Sequence, residues 1–186
     1  MKCIKEEFAT ITPHFNVMMK TWEEDFAKTV FIRRSEQVAL VLFDMNYNVV
    51  CVDNFYPVIE ENVKDFPHGK VESHEQPKAA AIRIFKEKTG IDNLNSDLVY
   101  LANTTNMDPE TTDCKYSTFI YAVENVEDYV NKYGDKNKVK ICSLNDDLDE
   151  LTKVSTNAIC TYIVSNFITA IQFANQVGSP ENAENS

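Results

Sequence analysis

Glycine is scarce in this chain. Only four occur in 186 residues, and two of them, Gly69 and Gly90, bracket one stretch, GKVESHEQPKAAAIRIFKEKTGI. Paired cysteines are missing too. The five thiols (Cys3, Cys51, Cys114, Cys142, Cys160) are odd in number and form no CxxC pair, which leaves a zinc site or a redox dithiol with little support. Buried thiols in a reducing compartment are the expectation. Positive charge is short: 18 Lys+Arg stand against 29 Asp+Glu, a net charge of −11. Such a field repels nucleic-acid backbones and anionic membranes, so neither is expected as a partner. A local basic group still outweighs the distant field within a Debye length, which leaves room for a small anionic ligand. Long apolar runs are also lacking. The N-terminal MKCIKEEFATITPHF has no signal-peptide core. The most apolar later segment, AICTYIVSNFITAIQFA, is broken by Thr, Ser, Asn and Gln and reads as shorter than the ~20 residues of a spanning helix. A soluble, cytoplasmic protein is expected.

Hydrophobic residues at 44% and aromatics at 11% are enough for a packed core. The length suits one domain with decorated ends. The expected division is N-terminal strands over 1–35, a main domain over 36–177 and a disordered tail over 178–186. Residues 15–24 and 28–34 read as two short strands around a polar turn. QVALVLFD (37–44) is a near-continuous apolar run that suits a strand buried on both faces. VVCVDNFYPV (49–58) is the next strand, and 59–73 reads as loop and short strand. The clearest helix covers 76–89, with Pro77 at its first position and Gly90 just past its end. Strands over 97–105, 116–124 and 138–144 and a short helix over 126–134 follow. The acidic NDDLDEL, capped by Ser143 or Asn145, reads as a helix start rather than a calcium loop. A terminal helix over about 155–176 is expected to pack Ile159, Ile163, Phe167, Ile168 and Ile171 inwards.

The bracketed stretch has a fixed internal spacing. Gly69 is followed by five residues and Glu75, then by seven residues and Arg83, with Phe85, Glu87, Gly90 and Ile91 beyond. This resembles the box of the Nudix hydrolase family, G-x5-E-x7-R-E-U-x-E-E-x-G-U with U a bulky apolar residue. Seven fixed positions over 23 residues make a specific signal. The wider chain, roughly 15–175, is similar to the ADP-ribose pyrophosphatase branch, through VALVLFD, NVVCVDNFYPV, DFPHGKVE and the loop NMDPETTDCK with its following strand. The resemblance implies an α/β (α+β) fold, a Nudix-type α/β/α sandwich with a mixed β-sheet and short N-terminal strands. It also implies that Glu75 and Arg83 form a structural ion pair.

Positions 84, 87 and 88 share one helix face. In the family all three are glutamates that gather Mg²⁺, which bridges a diphosphate and activates the attacking water. Here they are Ile84, Glu87 and Lys88. A single carboxylate beside a lysine is a poor divalent-ion site, and Lys88 can itself pair with Glu87. The loop acid that assists catalysis in the branch matches Asp113, with Glu110 next. Where the branch usually has a phosphate-holding Arg stands Tyr56. Arg33 and Arg34 are alternative sources of positive charge, or plain surface charge. Lys88 either takes the place of the metal as a point charge on a bound diphosphate or is a solvated last-turn lysine. Trp22, Phe26, Phe31, Phe55 and Tyr56 are the candidates for stacking an adenine. A rearranged metal set of Asp65, His68, Glu72 and Glu87 follows no spacing rule.

Three functions remain open. One is a catalytically impaired Nudix-fold protein that binds an ADP-ribose-like nucleotide or a protein partner, with no cofactor. Another is a hydrolase of nucleoside diphosphate derivatives that uses Mg²⁺, Glu87 and Asp113 in a rearranged site. The last is an interaction subunit with a vestigial pocket. In the branch, N-terminal strands exchange between subunits, so a homodimer through residues 15–34 is expected.

Overall fold

In the computed structural model, residues 2–11, 15–24 and 26–177 are described. The expected tail, 178–186, lies outside them. The main sheet is mixed and runs in the order β10 (Lys140–Ser143), β5 (Asn48–Tyr56), β4 (Gln37–Phe43), β9 (Lys115–Ala122) and β8 (Tyr100–Asn106). The β4–β9 pair is parallel, and the other pairs are antiparallel. β4 and β5 pair directly only at Phe43 and Val49. Beyond that point they diverge, and each takes its own partner: β6 (Glu61–Asp65) on β5 and β7 (His68–Lys70) on β4. Segment 59–73, read as loop and short strand, supplies both wedge strands. The split opens the sheet where the candidate site lies.

β4 explains the layering. Residues 37–43 alternate at period 2 and every residue from Val38 to Phe43 is buried. Val38, Leu40 and Leu42 meet α1 (Pro77–Thr89) and α2 (Val126–Tyr133) through Ala80, Ile84, Phe85 and Val130. Ala39, Val41 and Phe43 meet α4 (Ser155–Val177) on the other face through Cys160, Val164 and Ile168. The result is the α/β/α sandwich. Asp44 closes the β4–β5 turn by accepting from the backbone N–H groups of Asn46 and Asn48, and it also accepts from Val126 N–H at the start of α2. Four of the five thiols are buried and all are free.

Two expectations need correction. First, of the five residues expected on the inner stripe of α4, only Ile168 is buried. Thr156, Asn157, Cys160, Thr161, Val164 and Ile168 are buried, whereas Ile159, Ile163 and Ile171 are only half-buried and Phe167 is exposed. Polar residues lie on the inner face of the helix and large apolar ones, Tyr162 and Phe173, on its outer face, so periodicity could not select the inner side. Its run Ser155–Asn175 is also long and apolar enough, by length and composition, to cross a membrane, although its buried stripe packs on the sheet. Second, the acidic NDDLDEL leads only into a single turn, α3 (Leu148–Leu151), with Ser143 Oγ accepting from the N–H groups of Asn145 and Asp146.

The N-terminal segment forms a separate antiparallel sheet of three strands, not two. β1 (Cys3–Ile11) is the strand the sequence reading passed over, and it pairs with β2 (Asn16–Trp22), which pairs with β3 (Lys28–Arg33).

Candidate functional site

The site is built on the β7–α1 segment. Pro77 opens α1 with its φ preset for the helix. Gly90 closes it in the left-handed conformation (φ 75°), its N–H donating to Lys86 O at 2.8 Å. Phe85 and Ile91 are fully buried and hold the helix to the sheet. The Arg83 guanidinium grips Glu75 with both carboxylate oxygens, Nε to Oε1 at 2.9 Å and Nη2 to Oε2 at 2.7 Å. That hydrogen-bonded pair pulls the Glu75 carboxyl down to about 2. Glu75 Oε2 also accepts from Glu72 N–H, which fastens the loop after β7 to the helix.

A cleft of about 490 Å³ opens between β7, this loop and α1. Its floor is apolar. Ile84 is 5% exposed, and its Cδ1 would lie 3.1 Å from a Cβ placed on Gly69. Gly69 is therefore needed for close approach of the helix rather than for a special φ. Glu87 is exposed and turns to Arg83, with Nη1 3.4 Å from its carboxylate. It does not pair with Lys88, as the sequence reading allowed. The reason is geometric: Arg83 lies one turn back on the same face, while Lys88 reaches towards β5.

Lys88 Nζ lies 3.3 Å from Asn54 Oδ1. Asn54 in turn donates through Nδ2 to Asp65 Oδ2 at 3.0 Å. The same oxygen accepts from Tyr56 OH and lies 2.9 Å from His68 Nδ1. Asp65 is wholly buried in the wedge between the diverging strands. Burial works to raise its pKa, but the hydrogen bonds from His68, Tyr56 and Asn54 hold it below the usual range. Its other oxygen, Oδ1, is buried with no partner among the described residues, which costs about 1–3 kcal/mol. Burial pushes Lys88 down, with Asp65 opposing.

The other sequence candidates sit elsewhere. Asp113 accepts from Arg33 Nε at 2.8 Å and from Arg34 N–H at 3.3 Å, and Arg33 Nη2 also holds Glu6 at 2.6 Å. The charge of Arg33 is therefore already matched. Asp113, Glu110, Trp22 and Phe31 line a second pocket of about 410 Å³, which shares no lining residue with the first. Of the proposed stacking residues, only Trp22 and Phe31 are brought together there. Phe26 and Phe55 are exposed, and Tyr56 is engaged by Asp65. Sequence reasoning missed Asn54 and the joining of Asp65 to Tyr56 and Lys88. The polar residues inside NFYPV and VKDFPHG were the available signal.

The residues present do not fit a Mg²⁺ centre of the expected kind. That ion requires several hard oxygen ligands in octahedral order. Here a hydrocarbon covers Gly69, an ammonium stands at the third position, and the remaining carboxylate is paired with arginine. Among the described residues no group of three or more His, Cys, Asp or Glu side chains could hold a metal ion.

The strand wedge in the mixed sheet and the glycine-bounded loop and helix that follows it together place Gly69, Arg83 and Glu87, three of the spaced positions from Gly69 to Ile91, around one cleft. A family model described as NUDIX domain matches residues 33–158, and the chain belongs to that family. Among solved structures of similar fold is one described as "Crystal structure of ADP compounds hydrolase", with a TM-score of 0.62 and 14% identity. The likeness covers 91% of this chain and 94% of that one; at that identity it is a likeness of fold. No curated protein matches the chain by sequence.

Proposed function

We propose that this NUDIX protein binds an anionic nucleotide of the ADP-ribose class in the 490 Å³ cleft without a divalent ion, and that the metal-dependent hydrolysis of its family is impaired. The observation that carries this is the pair of replacements on one helix face. Ile84 is packed over Gly69, and Lys88 puts a half-buried ammonium where a carboxylate would hold metal. Losing two ligands of a metal centre removes several kcal/mol of transition-state stabilisation, on the order of a thousandfold in rate or more. A desolvated ammonium still attracts phosphate as a point charge, and Lys70 lines the same cleft. Trp22 offers the base a stacking surface in the second pocket, where Phe31 is buried under Lys20 and Arg33.

Titration calorimetry with ADP-ribose in EDTA tests the reading. Binding that persists in EDTA and weakens at least tenfold in Lys88→Met is the expected result. Trp22 is the only tryptophan, so quenching of its fluorescence by ADP-ribose reads the second pocket alone. Binding that appears only with Mg²⁺ or Mn²⁺, with AMP release lost in Glu87→Gln, would instead establish the metal-dependent hydrolase.

The homodimer is proposed on a separate observation. β1 stands at the edge of its sheet, and Ile4, Phe8, Ile11 and Val30 on that sheet are exposed. A long edge strand with apolar side chains invites pairing. Sedimentation should give a dimer, and Phe8→Glu with Val30→Glu should give a monomer; a monomeric parent protein removes the proposal.

A further inference from the structure

Beside Ile84 and Lys88, the cleft contains a second set of reactive groups that the family mechanism does not use. His68 begins β7, and its backbone is fixed by pairing with Ala39 on β4. Its Nδ1 lies 2.9 Å from Asp65 Oδ2 and 3.1 Å from Phe66 O. Both partners are acceptors, so Nδ1 carries the proton. That assignment leaves Nε2 as the basic nitrogen of the ring. Nε2 has no hydrogen-bond partner among the described residues, and His68 lines the same cleft as Lys88. The Tyr116 ring, 6.5 Å away, flanks the imidazole.

Asp65 has the features of an orienting carboxylate. It is fully buried, it stays ionised under hydrogen bonds from three side chains, and its Oδ1 is left unpartnered. A buried polar group kept at a cost to stability calls for a functional reason. A carboxylate that holds one imidazole nitrogen so that the other can take a proton supplies one.

We propose that His68, oriented by Asp65, is the general base of a slow, metal-independent hydrolysis of the phosphoanhydride ligand held in this cleft. The proposal rests on the metal-free binding of a nucleoside diphosphate derivative argued above. A water at Nε2 attacks one phosphorus atom. Its O–H proton passes to Nε2 as the new P–O bond forms. The bridging P–O bond breaks, and the departing phosphate oxygen takes the negative charge beside the Lys88 ammonium. Two phosphomonoesters leave, and His68 returns its proton to solvent. His68 is the catalytic residue in this scheme, and Asp65 is a positioning residue that acts through it.

The test uses the full chain with ADP-ribose in EDTA, with release of AMP and ribose 5-phosphate followed by ³¹P NMR and binding measured in parallel by calorimetry. EDTA-resistant turnover is expected. His68→Ala should lower it 10²-fold or more, within the range of general-base contributions, and added imidazole should restore at least tenfold. Asp65→Asn should lower kcat with KM little changed. The solvent deuterium isotope effect on the parent protein needs no variant and should be about 2 or more if proton transfer to a base accompanies attack. Binding without EDTA-resistant turnover overturns the dyad and leaves the binding reading in place. Absence of binding overturns both. Turnover unchanged in His68→Ala, or a His68→Ala loss that imidazole does not touch, also overturns the dyad.

Discussion

Placing glutamates at positions 84 and 88 should create a metal site, at a cost that can be worked out from the packing. Ile84 is 5% exposed among Val38, Leu40 and Phe85 and lies against Gly69. Ile84→Glu forfeits about 2 kcal/mol of apolar burial. It also places a carboxylate in that space, which costs about 2 kcal/mol more even when partly hydrated. Lys88→Glu adds a further negative group near Asn54 and Asp65. Ile84→Glu alone should therefore lose about 4 kcal/mol in EDTA, a fall in Tm of roughly 8–16 °C for a domain of this size, and the double variant should lose more. A divalent ion at 100 times its Kd returns about 2.7 kcal/mol, or roughly 5–10 °C. Melting curves in EDTA and in Mn²⁺ or Mg²⁺ measure both numbers, and calorimetry confirms stoichiometric binding. The parent protein should melt at the same temperature in both. A double variant that is destabilised but gains nothing from metal would refute the reasoning, because the site would then differ from a metal centre at more than these two side chains.

Two further outcomes follow from single groups. Glu75 is held at about 2 against an ordinary 4.5, so its contribution is present above pH 4.5 and is lost as pH falls towards 2; urea midpoints across that window should fall more steeply for the parent than for Glu75→Gln. Lys88 has its pKa lowered from 10.5 by burial, so the folded state carries a penalty at neutral pH that fades as pH rises towards 10.5; Lys88→Met should be more stable by about 1 kcal/mol at pH 7, and that gain should shrink at high pH in denaturant titrations.

The parts of the fold that could be read in the sequence are those fixed by local rules. The spacing from Gly69 to Ile91 places a loop and a helix because two glycines, a proline and an ion pair act within one short segment. β4 was readable because six consecutive buried residues leave an unbroken apolar run. β1 was not, because a strand on an outer sheet with eight of nine residues exposed has no buried face to set a period. The inner face of α4 was hidden for another reason: polar Thr156, Asn157 and Thr161 lie on it while Tyr162, Phe167 and Phe173 face outwards, so polarity does not mark the inner side. Asp65 and His68 could be named together only as members of a metal set, and their joining to Asn54, Tyr56 and Lys88 could not be read. The members of this cluster come from β5, β6, β7 and α1, and only the divergence of β4 and β5 brings them together. Asp113 showed a related limit: a loop acid can be placed by alignment, but the Arg33 that neutralises it arrives from a different sheet.

Ile84 and Lys88 are expected to act as one coupled pair. Three carboxylates on one helix face, with no metal to hold them together, repel one another in a cleft with limited water. With Glu87 kept, removing one of the others leaves a like-charged pair at i and i+3 (84 and 87) or at adjacent positions (87 and 88). Exchanging one for a hydrocarbon and another for an ammonium removes the repulsion and fills the space above Gly69, and it frees Glu87 to pair with Arg83. The coupling between positions 84 and 88 should therefore depend on metal. In EDTA, Ile84→Glu alone keeps an oppositely charged Lys88 one turn away, so the double variant should be less stable than the two single losses predict. In Mn²⁺ the same pair of carboxylates shares one ion, and the double variant should be more stable than additivity. A double-mutant cycle read with and without metal gives that reversal directly. A coupling energy of the same sign in both conditions would mean that carboxylates at these two positions do not share a metal ion.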